Sequence, residues 1–344
     1  MAQKAKLDYS KQIKQLRQTG PERLYILYGE EDYLVESFFA EVKSLCITAG
    51  NEEFNYRKPQ VTAQDLSSLW EAVEAVPFLS DRTLIELRDF DINRCKGDMA
   101  DQFKEIVSRL PDYCTLVLIY TNGYEPDKRL APLKAAAKHG KVLKFEAQSH
   151  LMLVRWIERR FAALEKQISC EDAEYLIYVS GGLMNRLAPE IEKLSVYSES
   201  GQVSRNDIDR VVQRIPEADV FEMADMLSLS NFDGAMMILS DLLRQREHPI
   251  KLLSIIAQQF RRLYAARLAM DYRLGREQAM ELCGIRFDFI LNKLRKAAES
   301  FSLDCLADIL CLCAEADLSM KSTAEDNEDV LNLMLMKIAM RTGV

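Results

Sequence analysis

The sequence lacks the long apolar run that a membrane span needs. No window approaches the roughly 18 uninterrupted apolar residues of a spanning helix. Histidine is scarce as well. His139, His150 and His248 are the only three, and none has a cysteine or carboxylate at metal-ligand spacing, which argues against structural zinc and against a catalytic histidine. The 8 cysteines form no C-x-x-C pair. Several, such as Cys46, Cys114 and Cys311, sit in apolar periodic runs and read as small reduced core side chains of a cytosolic protein. The opening "MAQKAKLDYSKQIKQLR" is basic but has no apolar segment, so it does not read as a secretory signal.

Positive charge is also in deficit. Lys and Arg number 45 against 53 Asp and Glu, a net charge of -8. That balance opposes autonomous, nonspecific binding to nucleic acid, which requires phosphate neutralisation. It leaves room for DNA contact inside a larger basic assembly. There is no low-complexity segment and no internal repeat.

What is present is an ordinary globular composition, 48% hydrophobic and 28% charged over 344 residues, enough for two or three domains. Residues 1–148 mix two periods. Strands are predicted at 23–29, 55–59, 82–90, 114–121 and 141–147. "TLVLIY" is continuously apolar, as in a parallel strand buried on both faces. Between strands, Tyr33, Leu34, Phe38, Val42 and Leu45 mark a helical face, as do Leu66, Leu69, Trp70 and Val73. The alternation predicts an α/β layer with a parallel sheet. After residue 148 strands disappear from the pattern. Helices are predicted to start at the Ser149 cap, over "SCEDAEYLIYVSGG" with Gly181-Gly182 as its stop, over "LMNRLAPEIEKLSVYS", and at a serine cap in "SRNDIDRVVQRI". Pro216 marks a boundary before an all-helical remainder. These shifts divide the chain into 1–148, 149–213 and 214–344.

The stretch "LYILYGEEDYLVESFF" has the outline of a phosphate site: strand, glycine, helix. A phosphate loop reads G-x-x-x-x-G-K-[ST], whose glycines let backbone N–H groups cradle phosphates while lysine neutralises charge. Gly29 is followed by Glu30, Glu31 and Asp32, with no second glycine, lysine or hydroxyl in place. With Glu36, four carboxylates would repel a triphosphate by more than a helix N-terminus returns, about 0.3–1 kcal/mol per charge. The acids suit the first turn of the helix themselves. A Mg²⁺-binding acidic pair is missing after the best buried strand, which runs into Thr121 and Asn122. No cofactor and no metal is expected. The alternative is an AAA+ or P-loop-type ATPase with an unorthodox nucleotide site.

Two further stretches bear on function. In "LWEAVEAVPFLSDRTLIEL", Pro77 disfavours helix at Val76 and leaves Phe78 and Leu79 at the end of an element. Such a pair either folds back onto the sheet or stands out as an anchor for a partner pocket. Arg261, Arg262, Arg267, Arg273 and Arg276 are accompanied by a single acid, Asp271. They read either as a solvated helix face engaged in salt bridges or as a contribution to phosphate contact. Residues 214–344 carry 16 Lys and Arg against 20 Asp and Glu, so this region as a whole is no DNA-binding surface.

"LYILYGEEDYLVE", "AVPFLSDRTLIELRDF", "GGLMNRLAPEIEKLSVY", the long "DVFEMADMLSLSNFDGAMMILSDLLRQREHPIKLLSIIAQQFRRLYAARL" and "DLSMKS" occur in one order over some 300 residues. In that order they resemble the delta subunit of bacterial DNA polymerase III, a clamp-loader subunit. The resemblance implies an AAA+-like domain without ATP hydrolysis, a small helical lid and an all-α collar used for oligomerisation. It implies that Val76, Pro77, Phe78 and Leu79 form the tip that enters a hydrophobic pocket of the sliding clamp (beta). It implies the ATPase subunits (tau/gamma), delta prime and primed DNA as further partners, no membrane, no catalysis of its own, and a cytoplasmic, nucleoid-associated replisome as the setting.

Overall fold

A computed structural model describes residues 8–48, 50–62, 65–322 and 326–341. A first helix, α1 (Tyr9–Thr19), leads into β1 (Leu24–Gly29), α2 (Asp32–Cys46), the one-turn α3 (Glu52–Asn55), β2 (Tyr56–Arg57), α4 (Ser67–Glu74) and β3 (Thr83–Arg88). Then follow α5 (Asp98–Ser108), β4 (Cys114–Ile119), α6 (Ala131–His139) and β5 (Lys141–Phe145). The five strands form one parallel sheet in the order β2-β3-β4-β1-β5. All five predicted strands are there, trimmed at their ends. β1 and β4 are buried at every position, which is why each reads as an unbroken apolar run. One face of the sheet sets Leu24, Ile26 and Tyr28 against Leu69, Val73 and Phe103. On the other, Phe38 of α2 packs edge-on to Tyr25 and tilted against Phe145.

Local readings needed correction. On α2 the buried face is Leu34, Val35, Phe38, Phe39, Val42 and Cys46. Leu45 is exposed instead, because the stripe follows the i, i+4 spacing through Phe38 and Val42 and drifts away from it. Residue 55, expected to open a strand, closes the helical turn α3.

The chain falls into two compact units. The first reaches Gln148 and takes in Leu183–Asn185; the second is Ser149–Gly182 with the chain from Arg186 onward. The second unit opens with α7 (His150–Ala163), β6 (Gln167–Ile168), α8 (Cys170–Ser180), α9 (Met184–Tyr197, begun in the first unit), β7 (Gln202–Val203) and α10 (Arg205–Val211). β6 and β7 pair in parallel, so strands do not vanish after 148; two residues each are too short to leave a periodic signal. Ser169 caps α8, and Ser204 forms a reciprocal capping box with Asp207 on α10. Ser149 stands at the cap position of α7 without making a side-chain cap bond.

Pro216 is the first residue of α11 (Pro216–Ser228), where its missing N–H is harmless. Beyond it lie α12 (Phe232–Arg244), α13 (Pro249–Asp271), α14 (Arg276–Cys283), α15 (Asp288–Ala298), α16 (Leu303–Ser322) and α17 (Asn327–Arg341). α13 is the axis of this part. Its Leu252, Ile256, Phe260 and Leu263 are fully buried, and it packs on α11 and on α14 through α17. Cys46 and Cys114 are buried as expected, whereas Cys311 is exposed on α16; its neighbour Cys313 takes the inward position. No helix among the described residues is long and apolar enough to cross a membrane.

Candidate functional site

The crevice at the carboxyl end of β1, where strand order reverses, is the place a sheet of this topology offers a ligand. Here the loop after β1 packs against the end of the neighbouring strand β5. Gly29 has φ +145, and a Cβ built on it would stand 2.0 Å from the carbonyl oxygen of Phe145. The glycine therefore serves close packing against the end of β5. That same carbonyl accepts the N–H groups of Glu30 and Glu31, at 2.9 and 3.1 Å. Only Glu30 and Glu31 separate Gly29 from the first residue of α2, against four residues between the glycines of a phosphate loop. The amides that would cradle phosphate are thus already used, in a loop too short to encircle it.

Of the acids expected in the first turn of α2, Asp32 is there, while Glu31 stands at the N-cap position without a side-chain cap bond. Glu31 is fully buried and its Oε1 accepts the N–H of Met184 at 3.1 Å. Asp32 lies in the first turn and accepts the N–H of Asn122 at 3.1 Å; burial pushes its carboxyl pKa up, aided by the nearby charges of Glu36 and Asp89. Asp89 is a second correction. β3 is also a buried strand, and it runs out into Arg88 and Asp89, so an acid does follow a buried strand. It is followed by Phe90 rather than by a glutamate. Arg88 is engaged with Glu36 through two nitrogens, at 2.6 and 3.0 Å, and with Glu86.

The apolar tip lies between α4 and β3. Val76, Phe78 and Leu79 are 70%, 53% and 77% exposed, and Pro77 is half-buried. They do not fold back onto the sheet. The tip has a fixed backbone all the same. Phe78 donates its N–H to Oδ1 of Asn55 at 2.7 Å, and its carbonyl accepts from Nδ2 of the same side chain at 2.8 Å. The Leu79 carbonyl accepts from Nδ2 of Asn51 at 2.7 Å. Phe54, itself exposed, places its ring centroid 5.1 Å from that of Phe78. Sequence reasoning missed Asn51, Phe54 and Asn55. The available signal was the i, i+4 spacing of the two asparagines around an aromatic, hidden by reading residue 55 as strand.

The five arginines are dispersed. Arg261, Arg262 and Arg267 lie on α13, Arg273 follows its end at φ +50, and Arg276 opens α14. Adjacent positions point about 100° apart on a helix, so Arg261 and Arg262 do not share a face. Arg262 is partly buried, and desolvation pulls its pKa down. Arg267 pairs with Asp271 at 3.3 Å and Arg276 with Asp288 at 2.5 Å. Asp288 lies twelve positions beyond the 261–276 stretch, whose one acid is Asp271. Arg261 and Arg273 are exposed, and no single basic stripe results.

Two sequence-family models match the chain. One, described as DNA polymerase III, delta subunit, matches residues 25–146; the other, described as the C-terminal domain of that subunit, matches 217–338. The chain belongs to the delta subunit family of DNA polymerase III. Within the family it is 24% identical to the DNA polymerase III subunit delta of Bacillus subtilis, over 95% of this chain and 96% of that protein. The fold is similar to that of a solved Bacillus subtilis clamp-loader delta protein, with a TM-score of 0.59 and 21% identity, covering 97% of this chain and 100% of that one. The acidic loop and the apolar tip both fall in the first matched segment, and all five arginines fall in the second. The fold is thus a parallel α/β sheet domain in its first unit and mostly helical after it, in a protein of DNA replication.

Proposed function

We propose that this chain is a non-ATPase clamp-loader subunit that binds the sliding clamp and holds it open for loading onto primed DNA. The observation that carries the reading is the tip. Three apolar side chains, Val76, Phe78 and Leu79, stand in solvent on a backbone tied down by neighbouring asparagines, with Pro77 shaping the turn. An exposed apolar group on a rigid base is what a partner pocket accepts. The engaged amides of Glu30 and Glu31 support the non-ATPase part.

Opening needs no chemistry in this subunit. The clamp ring closes through its own interface, and a protein that binds the open form better than the closed form shifts the balance by that difference in affinity alone. Residues 149–213 act as a lid and 214–344 as the collar that joins the tau/gamma ATPase subunits and delta prime. Their ATP-driven motion exposes or hides the tip. The exposed arginines Arg261 and Arg273 serve subunit contacts or the primed DNA held by the whole assembly, in the cytoplasm at the replisome.

The test is binding of the purified chain to its cognate clamp, compared with a Phe78→Ala, Leu79→Ala double variant. Each anchor is worth about 2 kcal/mol, so the double variant loses several kcal/mol of affinity. Unchanged affinity would overturn the assignment of the tip.

A further inference from the structure

The tip does not determine its own shape. Residues 75–80 belong to no helix or strand, and Leu79 sits at φ +48, a region leucine avoids. What fixes the segment is a side chain from another element. Asn55 is fully buried, and its amide meets both backbone groups of Phe78, accepting from the N–H and donating to the carbonyl at 2.7 and 2.8 Å. This imitates a strand partner with one side chain. Only an amide can do so, because it carries a donor and an acceptor side by side; a carboxylate of the same shape would face the Phe78 carbonyl with no proton to give. The pairing also settles which atom of the amide is oxygen. Nδ2 reaches the Asn51 carbonyl as well, at 3.2 Å, and Asn51 holds the next carbonyl of the tip, that of Leu79. The same helical turn presents Phe54 beside Phe78.

We infer that the turn Asn51–Asn55 is the second half of the docking site, with Asn55 a positioning residue that presets the tip and Phe54 an added apolar contact with the clamp. This rests on the reading that the tip docks there. The physical advantage is preorganisation: a loose segment would be ordered only on binding, and the entropy of ordering would be subtracted from the affinity.

The experiment measures affinity of the full chain for its cognate sliding clamp, with the thermal midpoint recorded for every variant. Asn55→Ala is expected to bind about tenfold or more weakly, the scale of a buried hydrogen-bonding group left without its partner. Asn55→Asp should not rescue it at neutral pH. In the Phe78→Ala, Leu79→Ala background, Asn55→Ala should add about twofold at most, because its effect runs through those side chains. Phe54→Ala alters an exposed side chain and leaves the fold intact, with about a fivefold loss of affinity expected for one rim aromatic. Should Asn55→Ala prove too unstable to purify, Asn51→Ala removes only the Leu79 bond and is expected to weaken binding about threefold. Wild-type affinity in Asn55→Ala, or in Asn51→Ala where that stands in for it, overturns the positioning role. So does an Asn55→Ala loss that persists undiminished without the tip side chains. Wild-type affinity in Phe54→Ala removes the added contact. If the Phe78, Leu79 double variant itself binds normally, the docking site is elsewhere and this inference falls with it, a result distinct from failure of the asparagine variants alone.

Discussion

The carbonyl of Phe145 closes over Gly29 and accepts the two amides that follow it, those of Glu30 and Glu31. A methyl group on residue 29 has nowhere to go: the nearest atoms are backbone, at 2.0 to 2.7 Å, and φ +145 suits glycine alone. Gly29→Ala is therefore expected to destabilise the protein by about 3 kcal/mol or more, through strain and displacement of β5. Denaturant unfolding measures this, and a loss below about 1 kcal/mol would mean the contact relaxes freely.

The same closure predicts indifference to nucleotide. A ligand that binds only the folded chain at 100 times its dissociation constant adds about 2.7 kcal/mol of stability. With the Glu30 and Glu31 amides engaged and a short acidic loop in place, ATP with Mg²⁺ should leave the thermal midpoint of the isolated chain unmoved. A clear upward shift would revive the ATPase alternative and overturn the reading of the loop.

How far these features were legible depends on where their physical cause lies. β1 and β4 declared themselves because strands buried on both faces are continuously apolar, and the absent lysine after Gly29 could be read directly. The fate of the Glu30 and Glu31 amides could not, since their acceptor is a carbonyl over a hundred residues away. The tip was found from Pro77 and its apolar neighbours, but Asn55 reads in sequence as the start of a strand and Asn51 carries no pattern of its own; their meaning comes from a backbone more than twenty positions later. β3 was recognised as a strand, yet the acid at its end was overlooked because β4 looked the stronger candidate. The arginines were close in sequence and separate in space, a consequence of the 3.6-residue turn and of the break between α13 and α14.

Asp225 on α11 carries a pH prediction. Burial pushes its pKa up to about 6 from a usual 3.8, with Glu222 adding repulsion while Lys293 and Lys296 of α15 oppose the rise. A folded-state pKa above the unfolded value means the folded protein binds the extra proton between those two pH values. Stability contributed by this group is then full below about pH 4 and is lost as pH rises through 6. Asp225→Asn removes the charge penalty. Allowing for partial exposure, it should be more stable than the parent by about 1–2 kcal/mol at pH 8. The two proteins should converge toward pH 4. A gap that is constant with pH, or that widens in acid, would assign the effect to packing or to loss of the Lys293 interaction.

Leu79 separates folding from docking. At φ +48 and 77% exposed, it holds a conformation that costs a leucine about 1–2 kcal/mol, with little burial in the free protein to compensate. Glycine accepts that backbone without strain but gives up a comparable amount of unfolded-chain entropy, about 0.4–1 kcal/mol. Leu79→Gly should therefore leave stability within about 1 kcal/mol of the parent, on either side. The Asn51 bond to its carbonyl is retained, since it involves only backbone on this side. Docking is expected to respond differently. With the side chain gone, clamp affinity should fall by about 2 kcal/mol, close to thirtyfold. Leu79→Ala loses the same contact and keeps the strain but avoids the entropy cost of glycine, so it should bind as weakly as the glycine variant with a stability within about 1 kcal/mol of it. Paired unfolding and binding measurements on the three proteins decide the matter. A glycine variant that binds like the parent would remove Leu79 from the docking surface, and one that is severely unstable would mean that the leucine is packed after all.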